Sequence, residues 1–273
     1  MDDGSIGDFA AFAARLADAA RAETLPRFRA NAPIENKAGM LFDPVTDADR
    51  EAERCIRRLI AAIYPRHGII GEEFGKENAG AEWRWVLDPV DGTRAFICGI
   101  ASWSTLIALE RNGAPVLSVI DQPFTDERWT GRAAKDGGGA EYARGGVRRA
   151  CRTSGLETLA RARIVTTDPR KEGYFTREEA EAFAAVAAKT RVARFSLDAY
   201  AYGLLALGEV DLVMEASLSH HDYAALIPVV EGAGGVITGW KDESVSDSER
   251  GRVIAAASPA LHQAALEVLG GRR

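Results

Sequence analysis

The chain has 273 residues, 47% hydrophobic and 27% charged, a balance that excludes disordered and fibrous classes and fits a soluble globular protein with a sizeable core. A formal net charge of -6, with no basic run longer than Arg148-Arg149 or Arg272-Arg273, argues against a nucleic-acid or membrane-surface binder and points to small molecules and cations as partners. The three cysteines, Cys55, Cys98 and Cys151, are widely spaced without a CxxC pair, which suits a reducing cytoplasm, and they read as small buried or half-buried apolar residues.

The opening segment starts with acids and then places Phe9, Phe12, Ala13, Leu16 and Ala20 at helical spacing. It lacks the basic and continuously apolar regions of a signal peptide and reads as an amphipathic helix; no later segment has the length and apolarity of a membrane span. Pro33 to Pro44 reads as an extended segment and loop. A second helix follows from the period of Ala52, Cys55, Ile56, Leu59, Ile60 and Ile63, with Thr46 and Asp47 where a cap belongs and Pro65 at its end. Then come a short strand HGIIG, the acidic turn GEEFGKENAGAE, the strand WRWVLD, and GTRAFICGI as the start of a short helix. SWSTLIALERNGAPVLSVIDQP is two apolar strands around Asn-Gly, a hairpin signal.

From Glu127 to Arg149, alternating runs broken by Gly131, Gly137 to Gly139 and Gly145-Gly146 predict further antiparallel strands, with the glycines in structural turns. A strand ARIVTTD, a helix EEAEAFAAVAAK, a strand VARFSL and a helix DAYAYGLLALGEV follow. The rest reads as a strand DLVMEA, a loop SLSHH, a helix DYAALIPVVEGAG, strands GVIT and RVIAAA, and a helix from Ser258 to Leu269. Helices and strands interleave without strict βαβ order, so the expected class is α+β, a layered sandwich rather than a doubly wound sheet. With no repeat or linker, one domain spans 1–273, its halves dividing near residue 150.

Four segments deliver carboxylates to element boundaries: Asp47 and Asp49, Glu72 and Glu73, Asp88 and Asp91, and Asp222. Singly, each has a plain explanation as a helix cap or a solvated turn. WVLDPVDGTRAF is harder to explain so, because it drives an apolar strand into two aspartates, and like charges taken out of water repel and resist ionisation. A strand ending at Asp88 and turning at Pro89 can aim both carboxylates and the Val90 carbonyl at a hard cation. The N–H groups of Gly92 and Thr93, opening a helix, can meet an anion. A cation beside such donors describes a phosphate site, and an oxygen-rich ligand set suits Mg²⁺ or Mn²⁺ better than Zn²⁺. His220 and His221, being adjacent, point different ways in most backbones and read as loop residues rather than ligands.

At VTDAD, IIGEEFG, WVLDPVDGTRAF and DLVMEASLSHHDYAALIPVVEGAGG the sequence resembles the inositol monophosphatase family of Mg²⁺-dependent phosphomonoesterases, in the family's order and spacing over nearly the whole chain. The resemblance implies an αβαβα sandwich of the inositol monophosphatase and fructose-1,6-bisphosphatase type and a homodimer, in the cytoplasm that the cysteines suggest. It further implies that Glu72, Asp88 and the Val90 carbonyl hold one Mg²⁺, while Asp88, Asp91 and Asp222 hold another. A third ion could arrive with substrate, and Mn²⁺ could substitute. Asp49 and Thr93 would polarise the attacking water with Glu72 on its metal, and the Gly92 and Thr93 N–H groups would clamp the phosphate.

PVTDADREAE, TRAFICGI, DAYAYGLLALGEVDLVMEA and ALIPVVEGAGG resemble the histidinol-phosphate phosphatase branch more than the inositol branch. Histidinol phosphate carries an ammonium and an imidazole, so acids beyond the metal ligands are expected: Glu215 at the family's substrate-contact position and Asp198, which could equally be a plain helix N-cap. Arg194 is a further candidate contact to substrate or phosphate. The family pattern has Trp or Tyr where His221 stands, Gly-x-Pro where Gly99-Ile100-Ala101 stands, and glycines where Ser196 and Leu197 stand. All of these departures lie toward the substrate side. Inositol 1-phosphate or another small ester is therefore the alternative substrate, and a phosphatase fold turned to protein or RNA binding is the remote one.

Overall fold

The computed structural model describes residues 4–30, 35–36, 44–170 and 173–271; most of the expected loop from Pro33 to Pro44 lies outside them. Helix α1 (Ile6–Thr24) begins in a capping box between Ser5 and Asp8 and buries Phe9, Phe12, Ala13, Leu16 and Ala20, the face its periodicity predicts. Strands β1 (Glu35–Asn36) and β2 (Pro44–Val45) form a small antiparallel pair. Helix α2 (Asp47–Ile63) is capped by Thr46 and buries Ala52, Ile56 and Ile60.

Eight strands make the first sheet: β3 (Gly68–Gly71), β4 (Gly75–Glu77), β5 (Trp83–Asp91), β6 (Ser104–Arg111), β7 (Ala114–Gln122), β8 (Glu127–Arg132), β9 (Ala140–Arg144) and β10 (Val147–Ala150). Their order is β10-β9-β8-β7-β6-β5-β3-β4, and β3 beside β5 is its parallel pair. The expected hairpins appear as β6–β7 and β8–β9–β10, while the acidic turn folds back as the exposed β4. Helix α3 (Thr93–Ile97) leaves the end of β5, with the exposed Cys98 as its C-cap, a departure from the apolar reading of that cysteine.

The second sheet, ordered β12-β11-β13-β15-β14, is built from β11 (Arg163–Thr166), β12 (Val192–Phe195), β13 (Leu212–Glu215), β14 (Val236–Thr238) and β15 (Val253–Ala256). Between and after these strands lie α4 (Arg177–Ala187), α5 (Tyr200–Ala206), α6 (His220–Tyr223), α7 (Leu226–Gly232) and α8 (Pro259–Gly270). The single helix expected from Asp222 onward is two, and the loop SLSHH ends inside the first. Pro228 has no N–H to return to the carbonyl of Ala224, so the hydrogen-bond ladder breaks there.

Alternation along β5 sends Trp85 and Leu87 to one face, packed with α1 and α2 through Phe9, Leu16, Ile56 and Ile60. Val86 points to the other face and joins Ala201, Leu205, Val229 and Val230 of α5 and α7, which also cover Val165 and Val213 of the second sheet. The far side of that sheet, with Ile164, Leu212 and Ile254, packs on Phe183 of α4 and Leu261 of α8. Five layers result, α1α2, sheet, α5α7, sheet, α4α8, which is the expected αβαβα sandwich. Among the described residues no helix is long and apolar enough to cross a membrane.

Candidate active site

Strand β5 pairs regularly with β6 as far as Asp88 opposite Leu106, and the next pair is Asp91 opposite Ser104. Residues three apart on an unbroken strand face opposite ways; this bulge at Pro89-Val90 returns Asp91 to the side of Asp88. The irregular turn is held internally: Val90 N donates to Asp88 Oδ1 at 3.1 Å and Thr105 Oγ1 donates to the Pro89 carbonyl at 2.8 Å. Thr93 Oγ1 donates to the Val90 carbonyl at 3.1 Å, which leaves that hydroxyl's lone pairs to accept. Gly92 sits at φ 80°, and a β carbon there would stand 2.9 Å from the Asp198 carboxyl carbon, so backbone conformation and close approach both require glycine.

The four segments converge. Carboxylate oxygens of Asp88, Asp91 and Asp222 lie within 4.8 Å of one another, and so do ligand atoms of Glu72, Asp88 and His221, so Asp88 belongs to both sets. Glu72 is placed by the turn that carries it: its own N–H donates to the Leu87 carbonyl at 3.2 Å, and the N–H groups of Glu73 and Phe74 donate to Glu53 at 2.8 and 3.2 Å. Glu53 is fully buried and accepts from Arg57 Nε at 2.7 Å. Asp49, at the third position of α2, accepts Thr46 N at 2.9 Å and Thr46 Oγ1 at 2.6 Å through Oδ2, whereas its buried Oδ1 has no hydrogen-bond partner. Asp91 Oδ2 accepts the Ala199 N–H at 2.8 Å, and Asp222 Oδ2 accepts the Ser219 N–H at 2.6 Å, the latter as part of a capping box.

Burial, then the charges of Glu72, Asp91 and Asp222, push the Asp88 carboxyl well above its usual range. Asp91 is driven up by burial and by Asp198 and Asp222, and Asp222 by burial against the partial relief of His221. Burial likewise raises Asp49 to about 6 despite its bonds from Thr46. Two unit charges 4.8 Å apart repel by about 3.5 kcal/mol at an effective dielectric of about 20, so such a cluster calls for a cation. The donor set fits one: hard carboxylate oxygens predominate, and the unpartnered Asp49 Oδ1 is buried in the field of Glu72.

On the substrate side, Asp198 does not cap α5. The N-cap is Ala199, with no side-chain cap bond, and Asp198 lies in left-handed backbone at φ 47° and accepts Ser102 Oγ at 3.3 Å. Ser196, also left-handed at φ 65°, occupies a conformation that glycine adopts freely, which gives a physical reason for the glycines of the family pattern. Glu215 is buried and accepts Thr167 N at 2.7 Å, Thr167 Oγ1 at 2.9 Å and Thr166 Oγ1 at 3.1 Å. Burial first, and Asp198 after it, raise Glu215 to about 8; burial raises Asp198 to about 6 against Ser102 and Arg94.

Arg194 makes no bond to this cluster: it lies exposed on the edge strand β12 and donates to the Ala193 carbonyl at 2.8 Å. Paired with Val165 in a parallel register, it shares the face covered by α5 and α7 but stands exposed at the sheet edge, and the cation that acts on Asp198 is Arg94, stacked over Tyr174 at 4.7 Å. Sequence reasoning also missed Glu53, which reads as a surface i, i+4 partner of Arg57, and the Thr166-Thr167 pair, whose role needs β11 beside β13. It assigned His221 to a loop, whereas α6 sets that imidazole against Glu72 and Asp88. A separate cavity of about 750 Å³ between α1 and β8 to β10 contains none of these residues, and two ion pairs, Arg128 with Asp18 and Arg148 with Glu141, lie along it.

The sequence profile of the inositol monophosphatase family matches residues 7–271. The chain is 39% identical to the bifunctional phosphatase IMPL2, chloroplastic, of Arabidopsis thaliana over 98% of this chain and 77% of that one. It is 34% identical to a histidinol-phosphatase of Streptomyces coelicolor over 82% of this chain and 84% of that one, and 37% identical to an inositol-1-monophosphatase of Rhizobium meliloti over 71% of each. Its fold superposes on an inositol monophosphatase from Zymomonas mobilis with a TM-score of 0.85 and 40% identity, over 98% of this chain and 99% of the other. With the carboxylate cluster built at the end of β5 and the five-layer sandwich around it, the chain belongs to the inositol monophosphatase family.

Proposed function

We propose that this protein is a Mg²⁺-dependent phosphomonoesterase whose preferred substrate is histidinol phosphate, released as histidinol and inorganic phosphate. The observation that carries the substrate choice is the pair of acids beyond the metal-type cluster, Asp198 and Glu215. Asp198 stands against Gly92 and acts electrostatically on both Asp91 and Glu215. An acidic pair beside the phosphate end of the site, whose ionised form a cationic alcohol would stabilise, favours an ester with such an alcohol over a neutral polyol. The relatives named histidinol-phosphatase are consistent with this reading.

Glu72, Asp88, Asp91, Asp222 and the Val90 carbonyl would hold Mg²⁺, or Mn²⁺ in its place. Bound there, the ions supply a water of lowered pKa and neutralise charge on the phosphate. Asp49 Oδ1 and Thr93 Oγ1 are the acceptors for that water's protons: the first has no partner within the fold, and the second spends its own proton on Val90. The Gly92 and Thr93 N–H groups orient the phosphate oxygens, and the buried setting of Asp88 keeps bulk water from competing. The same reading takes the protein to be cytoplasmic and a homodimer, and light scattering of the purified chain tests the dimer.

The second reading is an inositol 1-phosphate phosphatase. Glu215 already accepts three hydrogen bonds from Thr166 and Thr167 and can meet a hydroxyl as readily as an ammonium, and the Rhizobium meliloti relative bears that name. Phosphate release from both esters at matched concentrations, in Mg²⁺ and in EDTA, tests the choice. Mg²⁺-dependent preference for histidinol phosphate, reduced about tenfold in kcat/KM by Asp198→Asn, is expected. Preference for the inositol ester would move the assignment to the second reading.

A further inference from the structure

Resting on the metal-dependent reading above, we propose that His221 is a nitrogen ligand of the ion held by Glu72 and Asp88, so that this chain has a mixed oxygen and nitrogen site favouring Mn²⁺ over Mg²⁺ more than carboxylates alone would. Three observations place the imidazole there. Its ligand nitrogen and the oxygens of Glu72 and Asp88 lie within 4.8 Å of one another. Around an ion with bonds of about 2.1 Å, neighbouring donors stand about 3 Å apart and opposite ones about 4.2 Å, a spacing of the same order as that bound. The His221 Nε2 is 3.4 Å from Oδ1 of Asp222, a member of the other ligand set and too far for a strong hydrogen bond, so the imidazole borders both sets of acids.

The third observation is what fixes the orientation. Successive residues on a helix diverge by about 100°, so holding His220 on one side directs His221 to another. His220 is held: its Nε2 is 2.6 Å from Oε1 of Glu110, a carboxylate 1% exposed that also accepts Arg84 at 2.8 Å. Tyr223 lies against the His220 ring at 5.5 Å, and the Ser219–Asp222 capping box closes the same turn. A four-residue helix is thereby pinned from β6 on its far side, and the adjacent pair of histidines that reads as loop in sequence becomes one anchor and one donor. Imidazole is a borderline donor that Mn²⁺ and its heavier neighbours accept more readily than Mg²⁺, and a partner that orients a ligand raises affinity for the ion it serves.

The test is pulsed electron paramagnetic resonance of the full chain loaded with Mn²⁺, which detects ¹⁴N bonded to the metal and needs no substrate. Wild type should show ¹⁴N coupling from a coordinated imidazole; His221→Tyr should lose it, and Mg²⁺ should displace Mn²⁺ from that variant about tenfold more readily. His220→Gln should keep the coupling. Absence of coupling in wild type, its survival in His221→Tyr, or its loss in His220→Gln with survival in His221→Tyr would each overturn the assignment. Because the spectrum is read without turnover, a failed ligand assignment leaves the phosphatase reading standing, and coupling without hydrolysis of either ester sinks only the latter.

Discussion

Replacing Asp88 by Asn separates two effects of opposite sign. Asp88 lies within 4.8 Å of Glu72, Asp91 and Asp222, and each ionised pair at that distance repels by about 3.5 kcal/mol at an effective dielectric of about 20. Full ionisation would therefore cost about 10 kcal/mol around this one residue, and the metal-free cluster avoids most of it by retaining protons, as the upward shifts of Asp88, Asp91 and Asp222 indicate. Asn keeps the Oδ1 that accepts the Val90 N–H and removes the residual charge, a relief of about 1–2 kcal/mol or about 2–6 °C in Tm. In saturating Mg²⁺ the order inverts, because wild type gains about 2.7 kcal/mol at a hundred times its Kd while the variant has lost the carboxylate common to both ligand sets. Thermal unfolding in EDTA and in Mg²⁺, beside phosphate release, reads both effects. A variant that melts below wild type in EDTA, keeps the Mg²⁺ increment, or remains fully active refutes the reasoning.

Glu53→Gln leaves Arg57 and the Glu73 and Phe74 N–H groups facing a weaker acceptor; urea unfolding should show a loss of about 2–4 kcal/mol, with weaker Mg²⁺ binding because the turn carrying Glu72 loosens. Unchanged Mg²⁺ affinity would confine Glu53 to a structural role. Gly92→Ala forces a side chain into left-handed backbone and against Asp198, so a stability loss of about 2 kcal/mol and near-complete loss of turnover are expected; retained turnover would count against the tight approach of α5 to β5. Burial alone would raise Glu179, but the Thr176 N–H and then Arg252 and Arg250 outweigh it and hold the carboxyl below its ordinary value. A lowered folded pKa means stability that is present above the unfolded pKa and is lost as pH falls through the folded one. Melting temperatures of wild type should thus drop more steeply than those of Glu179→Gln below about pH 4.5, and parallel curves would remove the pair with Arg250 and Arg252 from the account.

Sequence alone determined the elements whose periodicity is local: the buried face of α1, the cap of α2 at Thr46, the hairpin around Asn112-Gly113, and the convergence of acids signalled by Asp88-Pro89-Val90-Asp91-Gly92. These were legible because caps, turns and alternation act over a few residues, and because an apolar strand ending in two aspartates demands a compensating charge. Tertiary structure decided what depends on neighbours distant in the chain. The bulge opposite β6 turns Asp91 to the side of Asp88, and the Cβ position of Gly92 is filled by Asp198, 106 residues further on. Arg194, plausible by proximity in sequence to Asp198, lies exposed on an edge strand, while Arg94 is the cation that acts on that acid. His220 and His221 are two identical letters in sequence; only Glu110, brought alongside from β6, makes one an anchor and the other a donor, because a helix turn can commit its side chains only when something else holds one of them.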